Sequence, residues 1–336
     1  MSDFSKPLVL VTGATGFIGS QLAARLLADG WRLRLLVRER QRLAPALAAG
    51  AEVIVGDLGD PAALAQAVSQ VALVFHCAAN VNTWDTKENY LSVNVIGVGN
   101  LMAALARERS TLTRLVHLST VDVYGFPATA CTEEGPSGGD AFGYGASKLQ
   151  GEAVVRQLGA AHGIPFTILR PTNVIGPGSP FIVRIGEALN SGLMLTVDGG
   201  QANAGLLMVD HLIDCMLWAA TATGAAGQTY NVRDCEDMTW ATFLRRFRTA
   251  IGGRGLIIDL PFWLADTLAA GLEFVHRVIL PTREPLLHRL LVRIFGRTCG
   301  HDATRIHAAS GLVDHRDTEQ ALDRSFRWFR ERPPTA

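Results

Sequence analysis

Lysine and tyrosine are scarce in this sequence. Its 336 residues include only three lysines, Lys6, Lys87 and Lys148, and four tyrosines. Two of these rare residues nevertheless stand four positions apart in "FGYGASKLQGE", as Tyr144 and Lys148. Random placement would produce that spacing in roughly a few chains in a hundred. On a helix the two side chains would share one face, so the pair is a candidate for joint chemistry.

Net charge and clustered cysteines are missing as well. Lys plus Arg and Asp plus Glu each number 31, which removes the attraction that a nucleic-acid surface needs and excludes that partner class. The five cysteines are widely spaced, with no CxxC and no Cys/His cluster, which predicts a reducing compartment and no metal site. The start "MSDFSKP" has no apolar run of a signal peptide, so we expect a cytoplasmic protein.

A long apolar run is absent too. The most apolar late segment, 255–280, is interrupted by Asp259, Pro261, Asp266 and Glu273, so it lacks the roughly 20 apolar residues of a membrane span. Two alternatives remain for it. It can close over an apolar cleft as a helix, which we favour, or it can lie on a bilayer surface as a peripheral contact.

Short apolar, β-branched runs alternate with helical patterns in the first half of the chain. Such runs, bounded by glycine-rich turns, are typical of buried parallel strands, and the alternation predicts an α/β fold with a doubly wound parallel sheet. The predicted strands are 8–12, 32–37, 51–56, 71–76, 114–119, 165–170 and, later, 228–233. From Thr239 onward the pattern is mostly helical.

A glycine-rich loop follows the first predicted strand and opens the first helix. In "VTGATGFIGS", Gly13 permits a tight turn, Gly16 lets backbone N–H groups approach a pyrophosphate, and Gly19 permits close helix packing. We therefore expect a dinucleotide cofactor on this loop. Its predicted contacts there are Gly13, Thr15, Gly16, Phe17, Ile18 and Gly19.

The end of the second strand bears on which dinucleotide binds. Arg38 stands where an NAD enzyme commonly places a carboxylate, and a guanidinium can pair with a 2′-phosphate. We therefore prefer NADP(H) over NAD(H), although NAD(H) stays possible. Arg38 beside Glu39 can instead be a solvated residue at a helix start. After the third strand, Asp57 and Leu58 are expected near the adenine, with a plain helix cap as the alternative role of Asp57.

Seven motifs in order resemble the extended short-chain dehydrogenase/reductase family over nearly the whole chain. They are "TGATGFIG" (12–19), "HCAA" (76–79), "NVIGVGN" (94–100), "STVDVYG" (119–125), "YGASK" (144–148), "RPTNVIGPG" (170–178) and "YNV" (230–232). The resemblance implies a Rossmann-type fold with a smaller, mostly helical C-terminal lobe. It adds Ala78, Ala79, Pro171, Asn173 and Val174 to the expected cofactor contacts, and it implies a homodimer.

We expect these domain bounds: an NADP-binding domain at 1–172 with a returning segment at about 206–235, a substrate lobe at 173–205 and 236–330, and a frayed tail at 331–336.

The resemblance also assigns catalytic roles. Tyr144 would be the acid/base, and Lys148 would bind the nicotinamide ribose while its ammonium lowers the pKa of the tyrosine from near 10. Thr120 would hold the substrate oxygen, with Ser119 as the alternative in a shifted register. Asn94 would help to hold the lysine through water, or it is simply a helix-surface amide. The histidines His76, His117 and His211 are expected to be satisfied packing residues.

The substrate is expected to be a small molecule that is bulky and largely apolar. Segment 192–210 contains no cation for a sugar-nucleotide pyrophosphate, although Arg184 and Arg233 remain candidate clamps. The late segments resemble the C-terminal lobe of 3β-hydroxysteroid dehydrogenase, and "VR" at the end of the second strand also occurs in dihydroflavonol reductase-like proteins. Expected contacts are Val81, Asn82, Thr83, Trp84, Val121, Asp122, Thr172, Asn173 and Phe181. Phe262, Trp263, Leu264 and Phe274 can cover the substrate or simply fill the core of the lobe.

These features favour an NADP(H)-dependent oxidoreductase that transfers a hydride between nicotinamide and a secondary alcohol or ketone, as in hydroxysteroid dehydrogenases and ketoreductases. A sugar-nucleotide epimerase or dehydratase is the first alternative. A non-catalytic nucleotide-sensing protein is the second, although such proteins often lose the tyrosine or the lysine.

Overall fold

The computed structural model describes residues 6–108, 110–138, 143–234, 237–279, 283–298, 300–312 and 318–332. The first part of the chain alternates strands and helices as β1 Leu8–Thr12, α1 Phe17–Ala28, β2 Arg32–Val37, α2 Pro45–Gly50, β3 Glu52–Val55, α3 Pro61–Val68, β4 Leu73–His76, α4 Lys87–Leu91, α5 Val98–Arg107, β5 Arg114–Leu118, α6 Gly143–His162 and β6 Phe166–Pro171. The later part contains β7 Asn173–Ile175, α7 Pro180–Ser191, β8 Leu193–Val197, β9 Leu206–Met208, α8 Val209–Thr221, β10 Thr229–Val232, α9 Trp240–Ile251, β11 Leu256–Leu260, α10 Phe262–Ile279, α11 Arg289–Arg297, α12 Thr304–Ser310 and α13 Thr318–Glu331.

Seven strands form one parallel sheet in the order β10-β6-β5-β4-β1-β2-β3. The strand order reverses between β1 and β4, which is where doubly wound sheets bind ligands beyond their carboxyl ends. The register aligns Thr12 with His76 and His76 with His117 at that edge. All seven predicted strands are members of this sheet, so the α/β prediction is confirmed, with strand ends differing by one or two residues.

Apolar side chains project from the strands toward both faces of the sheet, and helices therefore cover both faces. On one face, Val11 and Phe75 pack with α1 and α8. On the other, Leu10 and Val74 pack with α3, α5 and α6. A separate apolar cluster gathers side chains of α7, α9, α11 and α13 around Trp240. Two small parallel sheets, β7 with β9 and β8 with β11, accompany these later helices.

A π-helical turn at Ser92–Gly97 joins α4 to α5 in one continuous helix. This run, Lys87–Arg107, is the one described helix that is long and apolar enough to cross a membrane. Its residues Val98, Leu101 and Met102 are buried against the sheet in the domain core. The helix is therefore accounted for by packing within the domain.

Two predicted features fall partly outside the described residues. Cys77, Cys131 and Cys215 are free thiols, whereas Cys235 and Cys299 lie outside the described ranges. Of the predicted tail 331–336, residues 333–336 lie outside them as well, and Glu331 still belongs to α13.

Candidate active site

The loop between β1 and α1 is shaped for close approach of a ligand. Gly13 has φ +75°, and a Cβ there would lie 2.7 Å from the backbone nitrogen of Ala78. A Cβ on Gly19 would lie 2.3 Å from the carbonyl oxygen of Gly13. Gly16 precedes α1, and no side chain caps the N–H groups of the first turn of this helix. Uncapped N–H groups at a glycine-lined helix start suit a pyrophosphate, so the residues present fit a dinucleotide.

The other predicted cofactor residues surround this loop at the carboxyl edge of the sheet. The Ala78 N–H donates to Thr12 Oγ1 at 3.2 Å, so the loop after β4 lies directly against the glycine turn. Asn173 donates through Nδ2 to the Ala204 carbonyl at 2.7 Å. Thr15, Phe17, Ile18, Ala79 and Val174 are half-buried here, and Pro171 ends β6.

Arg38 extends into solvent directly after β2. Within the described ranges no ion pair involves Arg38, whereas the carboxylate of Glu39 lies 3.6 Å from Arg42. The guanidinium is therefore available to an anion at the strand end.

Asp57 does not cap α3, so the alternative role considered for it is wrong. Its Oδ1 accepts from the Gly59 N–H at 2.7 Å within its own loop. The cap is Asp60, whose Oδ1 accepts from the N–H groups of Ala62 and Ala63 at 3.0 Å. Asp57 itself stays exposed at the sheet edge, and the neighbouring Leu58 is buried.

Tyr144 and Lys148 lie on the first two turns of α6. A Cβ on Gly145 would lie 2.4 Å from the carbonyl oxygen of Asp122, so this helix packs tightly on the loop after β5. That contact brings Tyr144 into hydrogen-bonding reach of Thr120. Thr120 Oγ1 also accepts from the Asp122 N–H at 3.2 Å. The neighbouring Ser119 donates to Glu152 Oε1 at 2.6 Å, which removes it from the site and favours Thr120.

The electrostatics of the pair differ from the prediction. Burial, and then the Asp122 carboxylate, raise the pKa of Tyr144, and the Thr120 hydrogen bond lowers it only in part. Burial lowers the pKa of Lys148 to about 8, against the opposing effect of Glu152. Lys148 Nζ donates to the Leu118 carbonyl at 2.6 Å. The predicted lowering of the Tyr144 pKa by Lys148 is therefore wrong for the chain alone, because burial dominates.

Asn94 lies in the π-helical turn and is buried, so it is not a helix-surface amide. Its Oδ1 accepts from the Asn80 N–H at 2.8 Å, and its Nδ2 lies 2.9 Å from the Asn80 carbonyl. The same Nδ2 donates to Ser147 Oγ at 2.9 Å. Asn94 therefore ties the loop after β4 to the residue preceding Lys148, and it positions both.

Two cavities open beside these residues. The first contains Tyr144 and is lined by Thr83, Trp84, Asp85, Lys87, Tyr90, Gly143, Glu273, Arg277, His288 and Leu290. The second is lined by Val121, Asp122, Gly125, Phe126, Pro127, Thr172, Asn173, Gly205, Arg297, Thr298 and His301. Burial raises the pKa of Asp122 to about 6. Sequence reasoning missed Tyr90, Arg277 and His301, whose chain positions carry no motif.

Most predicted substrate residues line one of these cavities, and three do not. Val81 is 63% exposed and is not among the lining residues of the first cavity. Asn82 folds back onto its own loop, where Nδ2 donates to Asp85 Oδ2 at 3.2 Å. Phe181 packs against the apolar cluster around Trp240, with its ring centroid 5.6 Å from that of Trp240. The expectation for Phe181 is wrong, because its helix turns the ring toward other aromatics.

A buried ionic network behind the site was also missed. Glu152 is fully buried and accepts from Arg170 Nε at 2.9 Å and Nη2 at 2.7 Å. Arg170 Nη1 donates further to the Tyr124 hydroxyl at 2.7 Å. A signal was present, since Tyr144, Lys148 and Glu152 are spaced at four residues on one helix face.

The two candidate phosphate clamps are already paired. Arg184 Nη1 lies 2.9 Å from Glu284 Oε1. Arg233 pairs with Asp237. Neither guanidinium is free to hold a substrate pyrophosphate in this state of the chain. Among the residues that the structure describes, no group of three or more metal-ligating side chains occurs.

The histidines are expected to be packing residues whose ring nitrogens have hydrogen-bond partners, and this holds only in part. His211 Nδ1 lies 2.7 Å from Asp234 Oδ1, and His76 Nδ1 lies 2.8 Å from Thr12 Oγ1. For His117, in contrast, the described residues offer no partner to either ring nitrogen. Burial lowers the pKa of His76 to about 3 and that of His117 well below its usual value.

The low pKa values of His76 and His117 predict that the protein loses stability in mild acid. Both stay neutral in the fold but gain protons in the unfolded chain below a pKa of 6.5, so the stability present above pH 6.5 falls as the pH decreases toward 3. Between pH 6.5 and 5.5 each histidine contributes a loss of about 1 kcal/mol. Urea unfolding across this range measures it. In His117→Leu, the free energy of unfolding is expected to depend less steeply on pH than in the wild type. In the control His162→Leu, at an exposed position, this dependence is expected to stay unchanged. Equal pH dependence in all three proteins would contradict this origin.

Comparison with known proteins agrees with this geometry. The family model described as the NAD dependent epimerase/dehydratase family matches residues 9–232. The chain is 31% identical to a 4-hydroxy-2-methyl-3-oxo-4-farnesyl-3,4-dihydroquinoline-1-oxide ketoreductase of Stigmatella aurantiaca, over 93% of this chain and 94% of that protein. It is 25% identical to a human decarboxylating sterol-4-alpha-carboxylate 3-dehydrogenase, over 95% and 87%.

The fold also matches solved structures. The crystal structure of UDP-glucuronic acid 4-epimerase from Bacillus cereus in complex with NAD superposes with a TM-score of 0.75, at 19% identity, over 96% of this chain and 97% of that one. The matched region contains the glycine loop, Thr120, Tyr144 and Lys148. The chain therefore belongs to the NAD-dependent epimerase/dehydratase family, the extended short-chain dehydrogenases/reductases, and is an NAD(P)-dependent oxidoreductase of that type.

Proposed function

We propose that this protein is an NADP(H)-dependent ketoreductase that acts on a bulky, largely apolar ketone or the corresponding secondary alcohol. The observation that carries the proposal is the position of Tyr144, which borders an accessible cavity while it reaches the Thr120 hydroxyl. A carbonyl oxygen between these two hydroxyls can accept a hydrogen bond from each, which is the arrangement that a reduction requires.

In this proposal the cofactor and each residue of the site have a separate role in the reaction. A nicotinamide dinucleotide held by the glycine loop supplies or accepts the hydride. Thr120 holds the substrate oxygen, and Tyr144 gives it a proton in the reducing direction. Lys148 would bind the nicotinamide ribose, and it carries a positive charge as long as the pH stays below its pKa of about 8. Asn94 and Ser147 keep the start of α6 in place.

The raised pKa of Tyr144 keeps the phenol in its proton-donating state. A phenol whose pKa lies above its ordinary value is protonated at neutral pH, which is the state that a proton donor needs. We therefore propose that Tyr144 is the proton donor for ketone reduction at neutral pH. The net direction is set by the ratio of reduced to oxidised cofactor and not by this pKa.

The apolar substrate class rests on two features. Trp84 and Leu290 line the cavity that contains Tyr144, and the two predicted phosphate clamps, Arg184 and Arg233, are engaged with carboxylates. Of the two cations in that cavity, Arg277 lies 4.7 Å over the Trp84 ring, and Lys87 is exposed. Two relatives, a farnesyl-dihydroquinoline ketoreductase and a sterol dehydrogenase, agree by their names with a large apolar substrate. The second candidate is a sugar-nucleotide epimerase, which the similarity to the UDP-glucuronic acid enzyme keeps open.

A coupled assay separates these functions. Purified protein with NADPH or NADH is offered a sterol ketone, a long-chain 3-oxo ester, a prenylated quinolone and two UDP-sugars. We expect NADPH oxidation with at least one of the apolar ketones. Interconversion of a UDP-sugar without net change in cofactor would instead establish the epimerase, and cofactor binding without any turnover would overturn both.

Arg38 is expected to determine the cofactor preference. Arg38→Ser removes a guanidinium that can hold a 2′-phosphate through charge-assisted hydrogen bonds, each worth about 1.5–3 kcal/mol. The kcat/KM for NADPH is therefore expected to fall by about 10- to 100-fold, with little change for NADH. Arg107→Ser, at an exposed position on α5, is the matched control. An equal fall for both cofactors in Arg38→Ser would contradict 2′-phosphate recognition.

We also propose the domain roles and assembly expected from the sequence. Residues 1–172 with 206–235 bind the cofactor, and residues 173–205 with 236–330 bind the substrate. The protein is proposed to be cytoplasmic and to form a homodimer. Sedimentation equilibrium tests the dimer directly.

A further inference from the structure

Helix α10 has its apolar and polar sides reversed relative to an ordinary surface helix. A surface helix normally turns its apolar stripe toward the core. On α10 the small residues Ala265 and Ala269 are the only buried ones. Its bulky residues face outward: Trp263 is 69% exposed, Phe274 72% and Val278 69%. Trp263 and Phe274 therefore do not fill the core of the lobe, and neither is among the residues that line the cavity containing Tyr144.

The outward side forms a continuous apolar surface, which we call the α10 face. At about 100° per residue, Trp263, Phe274 and Val278 fall within about 60° of one another. Leu268, Val275 and Ile279 lie next to them around the helix, each at least 47% exposed. Among the exposed residues of α10 only Arg277 is charged. An exposed apolar surface of this kind marks an interaction site.

The acidic residues of α10 face the protein instead. Asp266 Oδ1 accepts from Arg289 Nε at 3.2 Å, and Glu273 Oε1 accepts from the Arg289 N–H at 2.7 Å. These contacts fix the rotation of α10 against the start of α11. The α10 face is therefore held outward by specific polar contacts.

The same helix forms a wall of the catalytic cavity. Glu273 and Arg277 line the cavity that contains Tyr144, on the side of α10 opposite to Leu268 and Val275. A helix with its side chains is about 10 Å across. A ligand on the α10 face would therefore lie within about one helix diameter of the cavity.

Three cations lie beside the α10 face. Arg283 is exposed just beyond the end of the helix, and Lys87 and Arg277 line the cavity. The same cavity contains the carboxylates of Asp85 and Glu273, of which Glu273 is bonded to the Arg289 N–H. The nearby carboxylate of Glu284 is neutralised, since it lies 2.9 Å from both Arg184 and His288. Apolar side chains with a tryptophan on one side and cations at the rim complement the interface of a bilayer with anionic headgroups.

We infer that the α10 face binds the surface of an anionic lipid bilayer and places the mouth of the catalytic cavity at the membrane interface. The inference extends the proposed function, since a lipophilic ketone dissolved in the bilayer would enter from there. Binding to the bilayer does not itself depend on turnover.

Vesicle flotation of the full chain tests the inference. Vesicles of phosphatidylcholine mixed with phosphatidylglycerol are expected to carry the protein, and vesicles of phosphatidylcholine alone to carry less. The double variant Phe274→Ser/Val278→Ser is expected to lower the apparent affinity at least about tenfold, because it removes apolar area from the contact. Ile96→Ser and Val55→Ser, at exposed apolar positions elsewhere, are the controls.

Two outcomes would overturn the inference. The first is equal flotation of the wild-type chain and the double variant. The second is a concentration-dependent dimer that Phe274→Ser/Val278→Ser dissociates, which would assign the α10 face to a second copy of the chain. Turnover of a water-soluble ketone is expected to be equal in wild type and double variant. If no ketone is reduced at all, the proposed function fails while the flotation result still stands.

Discussion

Tyr144→Phe is expected to lower kcat for ketone reduction by about 10²- to 10⁴-fold, the range that a positioned proton donor contributes. The phenylalanine ring fills the same space, but the substrate oxygen then has no proton source next to Thr120. The protonated state of the phenol at neutral pH makes it the donor in the wild type. Stopped-flow measurement of NADPH oxidation under single-turnover conditions gives the rate of this step.

Tyr90→Phe is the matched comparison for this variant. Tyr90 lines the same cavity, but its hydroxyl donates to the Asn82 carbonyl at 2.6 Å and holds a loop. Its replacement is expected to lower kcat tenfold at most, which corresponds to a rise of about 1.4 kcal/mol in the activation free energy. The cofactor affinity of Tyr144→Phe should stay near that of the wild type. A near-normal rate in Tyr144→Phe would refute the assigned role.

The sheet could be predicted from the sequence because its signals are local. Buried parallel strands need continuous β-branched and leucine-rich runs, and the run "LVLVT" is wholly buried as β1. The glycine loop is local as well, since Gly13 and Gly19 leave no room for a side chain. Thr120 could be assigned over Ser119 by its place in the resemblance, and the contact of Ser119 with Glu152 agrees.

Other features depend on contacts between distant segments. Composition shows that α10 is apolar, but it does not reveal which side packs, because Arg289 decides the rotation of the helix from the next element. The pKa of Tyr144 depends on its burial and on Asp122, which is brought close only by the packing of Gly145. The pattern "DLGDPAAL" offered two aspartates, and only the backbone geometry shows that Asp60 is the cap.

Arg170→Leu is expected to destabilise the fold by about 3–5 kcal/mol, the usual cost of leaving one member of a buried ion pair without its partner. Glu152 would stay fully buried after losing both hydrogen bonds from the Arg170 guanidinium. Ser119 and the partly exposed Arg156 remain as its partners, so we expect a loss at the lower end of this range. Burial opposes ionisation of Glu152, and the bonds from Arg170 overcome it to keep the pKa of this carboxyl below its usual value. Urea unfolding at pH 7.5 measures the loss.

Arg156→Leu provides the matched control, because Arg156 Nη1 also lies 2.9 Å from Glu152 Oε2 but its side chain is 41% exposed. Exposed ion pairs contribute about 0–1 kcal/mol, so the loss should be correspondingly small. The double variant Glu152→Gln/Arg170→Leu is expected to be more stable than Arg170→Leu, since the buried carboxylate that lost its guanidinium is then replaced by a neutral amide. Equal free energies of unfolding in these two variants would show that the loss in Arg170→Leu arises from the missing packing of Arg170 and not from the buried charge of Glu152.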